Sequence, residues 1–408
     1  MSVGIYISVP FCRSKCSYCN FASGVFAAGH IARYVERLCE DIASCGNVTS
    51  DYDVLIPTPV DSVYLGGGTP SLLPPTELKR LFAAIRRQFD LASDSEITLE
   101  CAPGTLMEPM LDSFAECGVN RVSLGVQSFV DREAAAVGRL HTRDRVLQDV
   151  ERLRAHGIEN INVDLLAGLP HQTHESWRFS LDQAVATGVP HVSVYMLEVD
   201  EDSRLGRELI AGGSRYHAHF VPDEGLTADL YETACQELSR NGVEQYEISN
   251  FARAGAESRH NLKYWTRQPY LGFGVDAHSM LPGSEKSREK GIDAVRLATT
   301  SSLDDFLISK LSEAITVNLQ EALEEGFFLG LRLNRGVNLG DMKRRFGPKV
   351  KKISATLHDL EVLGLLDEKD GTIRLTRKGR LLSNEVFEKF IDLQDGLRDE
   401  PARAEISF

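Results

Sequence analysis

Long apolar runs are missing from this chain, and that absence removes the first large class of functions. No stretch of the 408 residues approaches the length of a membrane-spanning helix, which needs about 20 consecutive apolar residues. No charged n-region with an apolar h-region precedes the first element, and no Arg-rich amphipathic leader does, so the expected location is cytoplasmic. Positive charge is also scarce: 45 Lys and Arg stand against 59 Asp and Glu, a net charge of -14. Such a chain lacks the field that displaces counterions from phosphates, and nucleic acid is not an expected partner. Paired cysteine or histidine spacings of the structural zinc kind are absent too. Nothing marks the chain as secreted, so a disulfide framework is not expected either. Cys39, Cys45, Cys101, Cys117 and Cys235 lie scattered in mostly apolar surroundings and read as free thiols.

What is present begins with YISVPFCRSKCSYCNF at residues 6–21. Cys12, Cys16 and Cys19 follow a short apolar strand in C-x3-C-x2-C spacing. Three thiolates on one loop can hold three irons of a cubic iron–sulfur cluster and leave the fourth iron without a protein ligand. An ordinary electron-transfer cluster has four cysteines. Zinc is the weaker alternative because a fourth ligand is missing.

Beyond this loop, strands and helices alternate. Helices are predicted over 30–43, over a segment capped by Thr76, and over 106–116, 143–155, 175–186 and 227–239. Strands are predicted over 60–65, 96–100, 121–124, 160–165 and 191–195. Alternation of this kind implies right-handed crossovers and a parallel sheet. About six units favour an α/β fold of the partial (β/α)6 barrel type, where function collects at the C-terminal ends of the strands. Gly66 to Thr69 of GGGTP, Glu100, Gln127 and Asp164 fall at those ends, with Arg139 in the segment GRLHT. Each alone has a plain structural explanation; together they mark one rim. Three glycines remove every Cβ, so a ligand can approach the backbone closely.

A second informative stretch is HNLKYW, His260 to Trp265. An imidazole beside two large aromatics suits a flat macrocycle and its iron. On physical grounds alone, packing of Tyr264 and Trp265 with a hydrogen-bonded His260 outweighs a ligand role. His217 and His219, in the polar loop SRYHAHF, receive no role. Residues 303–328 read as one helix, 351–363 as an amphipathic helix, 365–376 as a hairpin around Asp370-Gly371, and 378–390 as a helix. The domains expected are therefore a barrel with its extension over 1–282, a smaller helical, winged-helix-like domain over 283–391 with a docking or lid role, and a disordered tail over 392–408.

Together with GVQSF at 125–129 and GLP at 168–170, these motifs resemble the oxygen-independent coproporphyrinogen III oxidase-like branch of radical S-adenosylmethionine (SAM) proteins. The oxidase normally carries a fourth cysteine where this chain has Phe21, and a His where it has Ser8. HNxxYW is characteristic of the HemW-type haem chaperones of that branch. The resemblance implies a [4Fe-4S] cluster on Cys12, Cys16 and Cys19, and SAM contacts from Tyr6, Tyr18, Gly67, Gly68, Thr69, Glu100, Gln127, Arg139 and Asp164. It further implies haem binding at His260, with Asn261, Tyr264 and Trp265 around it. Haem would pass to an apo-acceptor protein, a membrane protein among the candidates, with the cluster and SAM supporting or regulating transfer and a homodimer as the expected assembly. The alternatives are a coproporphyrinogen III dehydrogenase and a radical SAM methyltransferase. Ala102 and Asp276 depart from the family's usual Asn and Gly.

Overall fold

A period of two runs through the strands that build the sheet. In the computed structural model, which describes residues 1–27, 29–198, 200–308 and 313–391, β1 (Val3–Val9), β2 (Val60–Gly67), β3 (Leu91–Cys101), β4 (Arg121–Gln127), β5 (Asn160–Ala167) and β6 (His191–Met196) lie side by side and parallel, in chain order. One side-chain set along these strands is apolar and buried: Ile5, Ile7, Val63, Leu65, Leu99, Val122, Leu124, Ile161, Val163, Val192 and Val194. The crossover helices supply matching apolar stripes, such as Tyr34, Val35, Leu38 and Ile42 of Gly29–Ser44 and Leu78, Leu81, Phe82 and Ile85 of Pro75–Gln88. Each large side chain so buried contributes about 1.5–3 kcal/mol. The alternate set is polar, and its members meet across the interior: Tyr64 with Glu100, Ser123 with Asp164, Asn162 with Ser193. Side chains at successive strand positions point to opposite faces, so this partial (β/α)6 barrel has an apolar outside under helices and a hydrogen-bonding inside.

Thr76 does not cap the second crossover helix. The helix starts at Pro75, with Pro74 at the cap position and no side-chain cap bond. Proline is suited to the first helical turn because its fixed φ is already helical and its missing N–H would have no partner there.

The sheet is wider than the six units. β7 (Glu244–Gln245) and β8 (Asn250–Ala252) add antiparallel strands beyond β6, and β9 (Tyr270–Phe273) adds a parallel one beyond β1. β10 (His278–Pro282), β11 (Ile292–Ala298) and β12 (Glu313–Asn318) then continue antiparallel, for twelve strands among the described residues. The expected domain boundary at 282/283 therefore moves: the compact units are Met1–Asn318 and Leu319–Phe408. The single helix read over 303–328 is likewise replaced by a short helix Leu303–Phe306, β12, and the helix Leu319–Phe328. The β-branched run Ile315, Thr316, Val317 pairs with β11 there, and residues of that kind fit a pleated sheet better than a helix.

The second unit carries the helices Leu319–Phe328, Leu339–Phe346 and Ser354–Val362, with β13 (Val337–Asn338), β14 (Leu366–Lys369) and β15 (Thr372–Leu375) in the order β13-β15-β14. The hairpin lies where it was predicted. Asp370 and Gly371 take φ of 53° and 70°, the two positive values that a tight primed turn requires. The predicted helix over 378–390 is two short ones, Arg377–Leu381 and Ser383–Glu388. The stretch 392–408, read as a tail, lies outside the described residues.

Candidate functional site

β1 ends at Val9, and the chain then turns into the cysteine loop. Backbone bonds Cys12 N to Gly24 O at 2.8 Å and Gly24 N to Pro10 O at 2.9 Å close its base. Ser17 N donates to Val137 O at 3.1 Å, and Lys15 Nζ donates to the carbonyls of Phe21 and Ser23, both at 3.0 Å. Within this tied loop Cys12, Cys16 and Cys19 are free and half-buried. Burial pushes the Cys19 thiol up. Among the described residues no three His, Cys, Asp or Glu side chains gather on a single ion; the thiols are spread along the loop. Three thiols on one loop are the donor set that three irons of a cluster would need, one thiolate to each iron.

The glycine run also ties the cysteine loop down. Gly68 N donates to Val9 O and Thr69 N to Phe11 O, both at 2.8 Å. A Cβ on Gly68 would sit 2.7 Å from Val9 O and 2.9 Å from Phe11 O, so the missing side chain lets GGGTP zip onto the cysteine loop. Gly67, at φ +97°, makes the bend, in a region that only glycine enters freely. The Thr69 hydroxyl donates to Cys12 Sγ at 3.8 Å.

Next to this zipper the predicted polar residues converge. Glu100 Oε1 accepts from the Tyr64 hydroxyl at 2.7 Å and Oε2 from Gly67 N at 3.2 Å. Burial, reinforced by the Asp164 charge, raises its carboxyl from the ordinary 4.5 to about 7, against the lowering effect of the Tyr64 bond. Asp164 accepts from Ser123 at 2.9 Å and Asn162 at 2.7 Å, and burial raises it too. Arg139 Nη2 donates to the Tyr18 hydroxyl at 3.0 Å, and Tyr18 packs on Val137, Leu166 and Leu169. Gln127 takes φ +68°, and a Cβ on Gly125 would lie 3.3 Å from its Nε2 and 3.4 Å from the Arg139 guanidinium. Tyr6 stacks on Tyr64 with ring centres 6.1 Å apart. Arg139 Nε is buried without a hydrogen-bond partner. That orphan donor, a carboxylate at the edge of ionisation and a backbone bared by glycine suit a zwitterionic amino-acid head such as that of SAM.

The HNLKYW segment is elsewhere. It forms the helix Arg259–Trp265 across the opposite, N-terminal ends of the strands, where Glu96 accepts Arg259 N at 3.0 Å and His260 N at 3.1 Å. His260 is 1% exposed. Its Nδ1 pairs with Ser62 Oγ at 3.0 Å and its Nε2 with the Tyr264 hydroxyl at 2.9 Å. Burial, with the charges of Lys263 and Arg121, lowers it to about 3. Tyr264 packs edge-on against Tyr270 with ring centres 4.6 Å apart, Trp265 is buried, and Asn261 N is bonded by the cap Ser258 at 3.3 Å. Both ring nitrogens of His260 are thus hydrogen-bonded inside the barrel floor.

Sequence reading missed Tyr64 and Arg121. Arg121 opens β4, is 1% exposed and has an unpartnered Nε. Its positive charge lowers Glu100, Asp164 and His260 alike. Tyr64 and Arg121 both sit at polar positions that alternate with apolar ones along buried strands.

Two family patterns match the chain, the Radical SAM superfamily over residues 6–184 and the HemN C-terminal domain over 317–382. The heme chaperone HemW of Bacillus subtilis (strain 168) is 34% identical over 95% of this chain and 98% of its own length. The chain belongs to the HemW family. A second HemW, from Lactococcus lactis subsp. lactis (strain IL1403), is 34% identical over 95% of this chain and 96% of its own. The solved coproporphyrinogen III oxidase (HemN) from Escherichia coli, described as a radical SAM enzyme, superposes with a TM-score of 0.79 at 22% identity, covering 95% of this chain and 90% of that one. That likeness shows a shared fold between the oxidase and this HemW relative.

Proposed function

We propose that this chain binds haem and hands it to an apo-acceptor protein, with a [4Fe-4S] cluster on Cys12, Cys16 and Cys19 and SAM beside it. The observation that carries the reading is similarity to heme chaperones along nearly the whole chain. At the one position of the cysteine loop that separates the branches, Phe21 stands half-exposed where the oxidase has a further cysteine.

When bound, the cluster's open iron supplies a chelating site for the amino and carboxylate groups of SAM and an electron for its sulfonium. The protein's part can be stated residue by residue. Arg139, fixed by Tyr18, offers a buried donor for a carboxylate. Burial raises the Glu100 carboxyl to about 7, and a cationic neighbour would favour its ionised form. Tyr64 and Gly67 orient that carboxyl. The zipper between Gly68 and Val9 keeps the thiols in register with these groups.

The same reading extends to a cytoplasmic carrier that works as a homodimer and delivers to acceptors including membrane haem proteins. No helix among the described residues is long and apolar enough to cross a membrane. Light scattering on the cluster-reconstituted chain tests the dimer.

The experiment that separates carrier from enzyme is an anaerobic incubation of cluster-reconstituted protein with coproporphyrinogen III, SAM and reductant, beside a haem-loaded sample mixed with apomyoglobin. The carrier reading expects haem to move to apomyoglobin and no protoporphyrinogen to form. Protoporphyrinogen formation without haem delivery overturns it.

A further inference from the structure

Asp164 is held from behind by side chains to which neither the motifs nor the family resemblance gives a role. Asn162, two residues earlier on β5 and so on the same face, donates from Nδ2 to Asp164 Oδ1 and to Ser123 Oγ, both at 2.7 Å. Ser123 gives its own proton to Asp164 Oδ2 at 2.9 Å. One amide thus serves both oxygens of the carboxylate, one directly and the other through a hydroxyl.

Behind Asn162 the bonds continue across the sheet. Asn162 Oδ1 lies 2.6 Å from His191 Nδ1, and His191 Nε2 lies 3.0 Å from the Tyr246 hydroxyl. That hydroxyl accepts from Ser258 N at 3.3 Å, where Ser258 caps the helix Arg259–Trp265. Ser123 and Asn162 are register partners across β4 and β5, and Asn162 and His191 across β5 and β6, so the parallel pairing itself lines the three up. All three are buried, His191 completely. Buried polar atoms have to be matched, donor to acceptor.

The direction of the series follows from its end. An ionised carboxylate only accepts, so the Asn162 atom facing Asp164 is the amide nitrogen and the atom facing His191 is the carbonyl oxygen. A carbonyl also only accepts, so the His191 proton lies on Nδ1. Burial, with the charge of Arg121, lowers His191 well below its ordinary 6.5 and keeps the ring neutral. Its Nε2 is therefore an acceptor and takes the Tyr246 proton. Ser258 N can only donate, which suits a Tyr246 oxygen whose hydrogen points at His191. Every donor in the series points towards Asp164. Burial raises the Asp164 carboxyl, and the bonds from Ser123 and Asn162, with the charge of Arg121, act against that rise. One cation thus favours the same pattern at both ends.

We propose that His191 and Asn162 are positioning residues for SAM, which hold Asp164 as a fixed acceptor towards the hydroxyl and ammonium donors of that cofactor. The inference rests on the SAM site described above and adds the groups that orient it. Without the Asn162 amide a buried carboxylate turns more freely and takes up a proton more readily. It then offers a donor where SAM needs an acceptor. His191 fixes which way the amide faces, because an Asn162 turned end for end would set its carbonyl against Asp164. Groups behind a ligand-binding side chain set its orientation in this way.

The test uses the full-length, cluster-reconstituted protein and compares it with His191→Asn and His191→Gln by calorimetric SAM titration and by urea denaturation. The amide nitrogen of Asn falls near the position of His Nδ1, and that of Gln near Nε2. Both variants lose packing and are expected to lose similar stability. His191→Gln is expected to weaken SAM binding about ten-fold, the equivalent of one hydrogen bond to a charged group. His191→Asn restores the donor to Asn162 and is expected to keep the affinity of the unaltered chain. A purely structural role makes affinity follow stability, so equal loss in the two variants, or loss in neither, overturns the proposal. Nitrogen-15 spectra of the histidine-labelled unaltered chain, with the His191 signals assigned from His191→Gln, check the tautomer without any variant having to bind. A proton on Nδ1 is expected, and a proton on Nε2 overturns the proposal. No SAM binding by the unaltered chain overturns the SAM site itself, whereas binding that ignores both substitutions leaves that site standing and removes only its support.

Discussion

The Tyr64 hydroxyl donates to Glu100 at 2.7 Å, while the same tyrosine ring lies 5.4 Å from His260. One side chain thus joins the SAM-side rim of the barrel to the helix that closes its floor. The family motif HNxxYW lies beside the candidate SAM site through Tyr64 and Tyr6, whose rings are 5.4 and 6.3 Å from His260.

Removing the Tyr64 hydroxyl is expected to raise the Glu100 carboxyl above its value of about 7, since the bond favours the ionised form. If SAM binds the ionised carboxylate, affinity rises as Glu100 loses its proton, by about ten-fold between pH 6 and pH 8. Tyr64→Phe is expected to move that rise to higher pH. Calorimetric SAM titrations of the reconstituted protein at several pH values give the profile; a profile unmoved by Tyr64→Phe contradicts the assignment.

Stability without SAM has the opposite slope from most carboxylates. Glu100 binds its proton more tightly in the folded chain than in the unfolded one, about 7 against 4.5. Its contribution is therefore fully present below pH 4.5 and is lost as pH rises through 7. Glu100→Gln is expected to be relatively more stable than the unaltered chain at pH 8 than at pH 5, as measured by urea denaturation.

Gly68→Ala places a methyl group against two backbone carbonyls. Neither can swing away as a side chain can, so the zipper has to open. A loss of about 1–3 kcal/mol is expected, as for other overpacked sites. Iron and sulfide content after reconstitution should fall with it, because the displaced partner is the cysteine loop itself. Full iron content in this variant argues that the loop is held by something else.

Thr69→Val keeps the shape and removes the hydroxyl that faces Cys12 Sγ. Hydrogen bonds to cluster sulfur raise the reduction potential. A lower potential with unchanged iron content is expected in a redox titration followed by electron paramagnetic resonance.

His260→Ala leaves Ser62 Oγ and the Tyr264 hydroxyl without partners in the barrel floor. The cost should be about 2–4 kcal/mol from a cavity and two unmet polar groups. The haem-carrier reading expects this variant to lose haem affinity as well, and hemin titration of the fraction that urea denaturation shows to be folded separates the two effects.

Much of this was readable in the residues. Strand faces follow a two-residue period, so β2 to β6 were placed by pattern, and the cysteine spacing and the glycine run stood out at once. β12 was hidden because acidic residues on either side of Ile315, Thr316 and Val317 resemble a helical surface. The burial of His260 was not readable, since a helix of seven residues shows too little of its own period to reveal which face is covered. Tyr64 and Arg121 sit at polar positions of buried strands, a signal visible only once those strands are known to enclose an interior.

The central claim is that the chain carries haem, and the most direct measurement is an anaerobic hemin titration of the cluster-reconstituted, full-length protein. The account predicts saturation at a fixed stoichiometry, with a ligated haem spectrum that persists when SAM is added. A featureless, non-saturating titration identical to that of free hemin contradicts it.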